Sequence, residues 1–348
     1  MAQADIILSI VPPRDAVATA RRAVVASRSP NAIRQRRERT AGGQLGHAPT
    51  SLTYIDLNAI SPRTATTIAT LINAEHSPPR PAGVSRPRRL SLSKAFSFHQ
   101  SESEVNSDAE LEPVEPIPIN FLDGGIIGGP PTLHHDQTWK RPSLVISGPR
   151  HADLLPPSFL SLLNAKVIAD TIGPASALKS CFASLTKGLT ALSILSFTTA
   201  HTCGILPELQ AHLEEFSPDT LALVQRGLTG MPPKAYRWVD EMRQIGETFA
   251  DEGGFNHALL EEGAGPADSS HHDDHVGIGH AVFDGIADLY QFVADHTVLG
   301  EERAEHRKRG LDPEDVAECV KAGIAVKKQK DAVSEGQILE HAWRERWS

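Results

Sequence analysis

Short apolar runs recur through the first half of this chain and then stop. Asp5–Val11, Leu52–Leu57, Ile119–Leu122, Ser143–Ser147 and Lys166–Ala169 each have the length and β-branched content of a strand, and helical patterns lie between them. The first run is apolar throughout and ends at Pro12 and Pro13, so it reads as a buried parallel strand. Strands alternating with helices predict a mostly parallel α/β sheet. No convincing strand follows Ala169. Beyond Gly173 the spacing turns helical: Leu178, Cys181, Phe182, Leu185, Leu189 and Leu192 repeat at steps of three and four, which predicts an amphipathic helix packed through that stripe. Further helices are expected at 206–216, 218–226, 233–252, 281–296 and 313–321. The chain thus divides into an α/β front (1–172), a helical back (173–322) and a tail (323–348).

Three segments interrupt this order. Seven arginines and one acid lie between Arg21 and Arg39, and residues 27–50 read as a solvated, disordered insertion. Residues 76–118 are Ser- and Pro-rich, basic at the start and acidic at the end, which also predicts disorder. A loop insertion is expected at 263–280. The run Arg86-Pro-Arg-Arg-Leu-Ser91 is a candidate kinase target at Ser91 or Ser93.

Composition narrows the function classes. A net charge of −9 argues against a nucleic-acid partner. No apolar run approaches the roughly twenty residues that span a bilayer, so no membrane partner is expected. The N-terminus lacks a basic leader region. Three separated cysteines (Cys181, Cys203, Cys319) fit a reducing compartment, with the cytoplasm as the expected location. His271-His-Asp-Asp-His275 and His134-His-Asp136 lie in loop-like sequence without metalloprotein spacing, and no metal site is assigned.

Three motifs carry chemistry: Asp56-Leu-Asn-Ala-Ile-Ser-Pro62, Phe121-Leu-Asp-Gly-Gly-Ile-Ile-Gly128 and Gly173-Pro-Ala-Ser-Ala-Leu-Lys179. In order and context they resemble the β-hydroxyacid dehydrogenase superfamily, and within it the 6-phosphogluconate-dehydrogenase-like branch with a distinctive helical C-terminal domain. Leu178–Leu192 and Arg237-Trp-Val-Asp-Glu-Met242 share that likeness. The resemblance implies α/β followed by all-α: an incomplete Rossmann-like parallel sheet plus a helical C-terminal domain. It also implies NAD(P)-dependent hydride transfer to or from a hydroxyl carbon, with NADP or NAD as cofactor, a small hydroxy-acid-like substrate and a homodimer.

By the same resemblance Lys179 is the catalytic acid/base, and Gly124, Gly125 and Gly128 hold the substrate. A glycine turn lets backbone approach a carboxylate, and it equally suits a tight strand–loop turn. Pro12, Pro13 and Asn58 follow strands, where open parallel sheets collect ligands, and are expected beside the nicotinamide. Asn58 fits a helix cap or turn equally well. Lys187 could share the cleft wall with Lys179. Two departures stand out: Phe182 and Ala183 occupy places where the superfamily often has asparagine, and Ile127 replaces a common serine.

No glycine fingerprint for a dinucleotide follows a strand. Gly42–Gly46 and Gly277–Gly279 lack the strand context. The first strand resembles the fourth of the family, and the expectation is that the N-terminal nucleotide-binding half is missing. The alternative function is then a non-catalytic helical dimerising or binding remnant.

Overall fold

A computed structural model describes residues 3–41, 51–76, 115–149, 151–260 and 277–347. Seven strands and eleven α-helices occur among them. β1 (Ile6–Ser9) leads through a single 3-10 turn into α1 (Ala16–Ser27) and α2 (Pro30–Ala41). β2 (Leu52–Asp56) is followed by α3 (Pro62–His76), then by β3 (Ile119–Ile127). A small hairpin, β4 (Thr132–Leu133) and β5 (Trp139–Lys140), precedes β6 (Ser143–Ser147). α4 (His151–Leu154) and α5 (Pro157–Leu162) lead to β7 (Ala165–Ala169). Pro156 and Pro157 divide what the sequence suggests as a single helix over 151–163.

The sheet order is β1-β2-β3-β6-β7. Three of its four pairings are parallel, while β3 and β6 run antiparallel, because the hairpin between them reverses the chain. One face is covered by α1, α2 and α3, which pack Ala20, Val24, Ile68 and Ile72 onto Tyr54 and Phe121. The other face carries Ile55, Leu122, Leu144 and Ile146 under α5.

After Gly173 the chain is helical: α6 (Pro174–Cys203), α7 (Leu206–Phe216), α8 (Pro218–Gly230), α9 (Ala235–Asp251), α10 (Ile278–His296) and α11 (Pro313–Trp347). Among the described residues no strand follows Ala169. These helices enclose a second core around Ile194, Phe197, Leu228, Met242, Ile245 and Tyr290. The architecture is an α/β sheet followed by an all-α region.

Four expectations change. Residues 30–41, read as disordered, form α2. Its Arg36 is buried, and the guanidinium donates to the carbonyls of Ala4 at 2.6 Å and Ser51 at 2.8 Å. Here arginine secures the start and end of loops instead of marking solvent. The 323–348 tail continues α11 to Trp347.

The stripe expected to bury α6 faces outward. Leu178, Cys181, Phe182, Leu185 and Leu192 are exposed, while the opposite side, including Ala183, Ala191, Ile194 and Phe197, is buried. Small side chains on that side permit close approach: a Cβ added to Gly227 of α8 would fall 2.6 Å from Thr190 Oγ1. Finally, α6 is long and apolar enough, by composition, to cross a membrane. Its apolar character is not an unbroken run in the sequence, because leucine there alternates with Ser, Thr, Ala and Gly. Residues 42–50 and 77–114, the kinase target, His271–His275 and most of the insertion expected at 263–280 lie outside the described residues.

Candidate active site

Each of four adjacent strands contributes one polar residue at the same height. Ser9, Asp56, Asp123 and Ser147 stand in register across β1, β2, β3 and β6, and all four are buried. A buried polar row is tolerable only when its members are bonded, and these are. Asn58 Nδ2 donates to Ser9 Oγ at 3.1 Å and to Asp56 Oδ2 at 2.8 Å, and its backbone N–H donates to Asp56 Oδ1 at 2.9 Å. Ser147 Oγ donates to Asp123 Oδ2 at 3.1 Å. Asp123 also accepts from the N–H groups of Gly173 and Ser176, both at 3.0 Å, and from Ser176 Oγ at 2.5 Å. The carboxylate therefore sits at the N-terminus of α6, where free N–H groups and the helix dipole favour negative charge. Ser147 Oγ accepts from Ala175 N–H at 3.0 Å, completing the clamp.

This clamp determines where Lys179 goes. β3 extends four residues past the end of β2, so Gly124–Ile127 pair only with β6 on one edge. The second turn of α6 lies against this overhang. A Cβ on Gly125 would be 3.0 Å from Lys179 Cβ, and one on Gly124 would be 2.7 Å from Leu57 Cδ2. A side chain at Gly125 would crowd the helix, and one at Gly124 the neighbouring strands. Lys179 Nζ donates to the Ile126 carbonyl at 2.7 Å, half-buried at the overhang.

The structure thus joins Lys179 to the glycine segment but changes the character of that segment. Gly124 and Gly125 are buried strand residues covered by protein, not an open loop. Gly128 is exposed with φ +107°, where the chain turns from β3 into the hairpin. The turn accounts for Gly128, and close packing against the neighbouring strands and α6 accounts for Gly124 and Gly125.

Asn58 is fully engaged: besides its two donated bonds, its Oδ1 accepts from Val11 N–H at 2.6 Å. It shapes the Val11–Pro13 turn and has no spare donor for a ligand. Pro12 is exposed and Pro13 opens the short 3-10 turn, with exposed Ile10 beside them at the carboxyl end of β1. Lys187 does not share the wall with Lys179. It enters the helical core, pairs with Glu241, and lies 5.3 Å from the Trp238 ring centroid. Burial there pushes its amine down to about 8; Glu241 opposes the shift and the charge of Lys179 adds to it.

α9 closes the site from the helical side. Gln244 Oε1 accepts from Ser61 N–H and Thr64 Oγ1, both at 2.9 Å, and Ser61 Oγ donates to Glu247. Arg63 pairs with Asp251 at 2.6 Å, and Arg14 with Asp240 at 3.5 Å. These contacts tie the loops after β1 and β2 to the helical region. Among the described residues no group of three or more His, Cys, Asp or Glu side chains could hold a metal ion.

Asp56 gives the polar row a pH signature. Burial pushes its carboxyl from 3.8 up to about 6, against the opposing bonds from Asn58. The folded protein therefore holds this proton where the unfolded chain has released it. The resulting stabilisation is complete below about pH 4 and fades as pH rises through 6. Asp56→Asn should flatten the stability profile across that window by roughly 2–3 kcal/mol. Urea unfolding at several pH values measures this, and equal slopes for both proteins would exclude Asp56 as the titrating group.

The row has little sign in the sequence: Asp123 and Ser147 close apolar runs, but Ser9 and Asp56 lie inside theirs.

Residues 200–293 match the model of a family described as "Domain of unknown function (DUF1932)". No curated protein matches the chain. Among solved structures it is similar to a conserved hypothetical protein from Sinorhizobium meliloti 1021, at 16% identity and TM-score 0.49, over 92% of this chain and 76% of that one. A 3-hydroxyisobutyrate dehydrogenase from Salmonella typhimurium matches at 15% identity and TM-score 0.47, over 91% and 80%. The 3-hydroxyisobutyrate dehydrogenase of Mycobacterium tuberculosis, with L-serine, matches at 13% and 0.45, over 91% and 79%. The expected loss of an N-terminal nucleotide-binding half finds no support in these matches.

Proposed function

We propose that this chain, which carries a DUF1932 domain, is an NAD(P)-dependent oxidoreductase acting on a small hydroxy-acid-like substrate, with Lys179 as acid/base. The observation that carries this reading is the Lys179 ammonium held against the Ile126 carbonyl, on the strand overhang beyond the buried Asp123. It is supported by the three motifs, which converge at the carboxyl ends of β2 and β3 and at the start of α6.

The fit to a nicotinamide cofactor is partial. Ile10, Val11 and Pro12 present an apolar turn at the carboxyl end of β1 that suits a flat ring, and Asn58 holds that turn from behind. Among the described residues no glycine-rich turn opens a helix in the manner that receives a pyrophosphate. When bound, the cofactor takes up or gives back a hydride. Lys179 Nζ, in its neutral form, accepts the hydroxyl proton as the carbon–oxygen double bond forms, and returns it in the reverse direction. Ile126 orients the amine through its carbonyl. Asp123, Ser147 and Ser176 position the helix that bears it.

Calorimetric titration of the full chain with NADPH and NADH, followed by a 3-hydroxy-acid panel read by reduced-nicotinamide absorbance, tests the reading. Saturable binding with turnover of at least one acid is expected. No heat from either dinucleotide at millimolar concentration would overturn it.

A further inference from the structure

We infer that the start of α9 is a binding site for a phosphate group, built on Lys234, Arg237 and Arg307. Lys234 ends the short 3-10 turn Pro232–Lys234 and is the residue from which α9 begins. Arg237 follows in the first turn of the helix. Arg307 arrives from the loop between α10 and α11, and it is fixed in place. Its Nη1 donates to the Thr229 carbonyl and its Nη2 to the Gly310 carbonyl. A Cβ on Gly310 would stand 2.9 Å from Pro232 Cγ and 3.2 Å from Arg307 Nη2, so the guanidinium lies against the turn that ends in Lys234.

Three positive side chains thus meet at the positive end of a helix dipole, where acids are favoured and cations are not. The first turn of α9 holds no acid, and Lys234 gives it no side-chain cap. Among the described residues neither the Lys234 ammonium nor the Arg237 guanidinium makes a hydrogen bond or ion pair. The acids that follow on α9 are already engaged, Asp240 with Arg14 and Glu241 with Lys187. Burial holds the half-buried Lys234 amine below its ordinary value, and the charges of Arg237 and Arg307 lower it further with no acid to offset them. In a chain of net charge −9 this is a concentration of the rarer sign. Empty, the cluster works against its own repulsion, and a bound anion removes the conflict.

The donors select the anion. A phosphate group carries up to about two negative charges at neutral pH and presents several acceptor oxygens. It can take the forked N–H groups of Arg237, the Lys234 ammonium and the free N–H groups opening α9 together. A carboxylate has one charge and two oxygens, too few for three kinds of donor. Arg307, whose Nη groups are occupied, contributes its charge alone. The site also stands apart from the acid/base. α6 and α9 run antiparallel, with Ser180 bonded to Thr248 and Lys187 paired with Glu241. That register sets Lys234 level with Ile194, roughly 20 Å along α6 from Lys179. The inference therefore does not rest on the reaction proposed above.

Calorimetric titration and thermal melts of the full chain with pyrophosphate, inorganic phosphate and glycerol 3-phosphate test the site. Saturable binding is expected, with the melting temperature raised by roughly 5 °C at a hundredfold excess over Kd. Lys234→Gln and Arg237→Gln should each weaken binding about tenfold or more. Neither side chain is bonded to another part of the described fold, so both variants should keep the native circular dichroism spectrum. Lys234→Glu gives a readout that a merely structural lysine would not. It should raise the melting temperature of the ligand-free protein, because an acid replaces a repelled cation at the helix start, and it should abolish the phosphate response. Tighter binding of glycerol 3-phosphate assigns the occupant as a phosphate ester, and tighter binding of the inorganic ions assigns free phosphate. No saturable response at millimolar concentration, an equal response to sodium chloride at matched ionic strength, or full binding by both glutamine variants would each overturn the site.

Discussion

Lys179→Met is expected to lower turnover by roughly 10²–10⁴-fold, the range for loss of a positioned acid/base. Methionine suits the test because it keeps the stem. Lys179 Cβ and Cγ lie where a Gly125 Cβ would approach them at 3.0 and 3.4 Å, so the side chain packs on the overhang before it reaches the Ile126 carbonyl. Removing only the amine leaves that packing in place and frees one carbonyl lone pair at a half-buried position. The stability cost should stay near 1 kcal/mol. A thermal melt alongside initial rates separates the two effects. Lys179→Arg keeps the positive charge but cannot give up its proton at working pH, and should be comparably slow. If either variant retains full turnover with an unchanged melt, Lys179 is a packing residue.

Much of the α/β frame was legible because burial writes itself into composition. Leu52–Asp56 and Ser143–Ser147 lie in the sheet interior and read as apolar runs, whereas Ile6–Ser9, expected as a buried strand, forms the half-exposed sheet edge with Leu8 exposed. α7 spans Leu206–Phe216 as the sequence suggests, with Pro207 in its first turn and Ser217 at its end. What failed was any inference that equated side-chain type with solvent exposure. α2 is rich in arginine, yet Ile33 and Arg36 are buried, because a guanidinium can satisfy carbonyls that would otherwise lack donors.

α6 failed in the opposite sense. Most of its leucines face out, while alanines and serines face in beside Ile194 and Phe197, since α8 presses so closely at Thr190 that a Cβ on Gly227 would fall 2.6 Å from its hydroxyl. Periodicity locates two faces of a helix but does not say which of them this chain covers. The site shows the same division. The motif put Lys179 beside the glycines, whereas the strand overhang that makes the meeting possible depends on how far β3 outlasts β2. That length is set by pairing with β6, which no local pattern encodes.

The largest stability effect is expected at Asp123. Asp123→Ala should destabilise the fold by about 3–5 kcal/mol, because it strips partners from buried donors that water does not reach. Two of these donors are backbone N–H groups at Gly173 and Ser176, and two are the hydroxyls of Ser147 and Ser176. The alanine would also leave the N-terminus of α6 without its compensating group. Asp123→Asn is the discriminating companion. It keeps one acceptor oxygen for the helix N–H groups, and the serine hydroxyls can rotate to accept from the new amide. Burial raises the carboxyl above its ordinary value, so losing the charge itself costs little, and the asparagine variant should fall only about 1 kcal/mol. Urea midpoints for the three proteins give the comparison. Because the same carboxylate aims α6 at the overhang, the alanine variant should also lose turnover at temperatures where it remains folded, whereas asparagine should retain most of it. An alanine variant within 1 kcal/mol of the parent would mean that Ser147 alone suffices to hold the helix, and the clamp around Lys179 would have to be redrawn without its central residue.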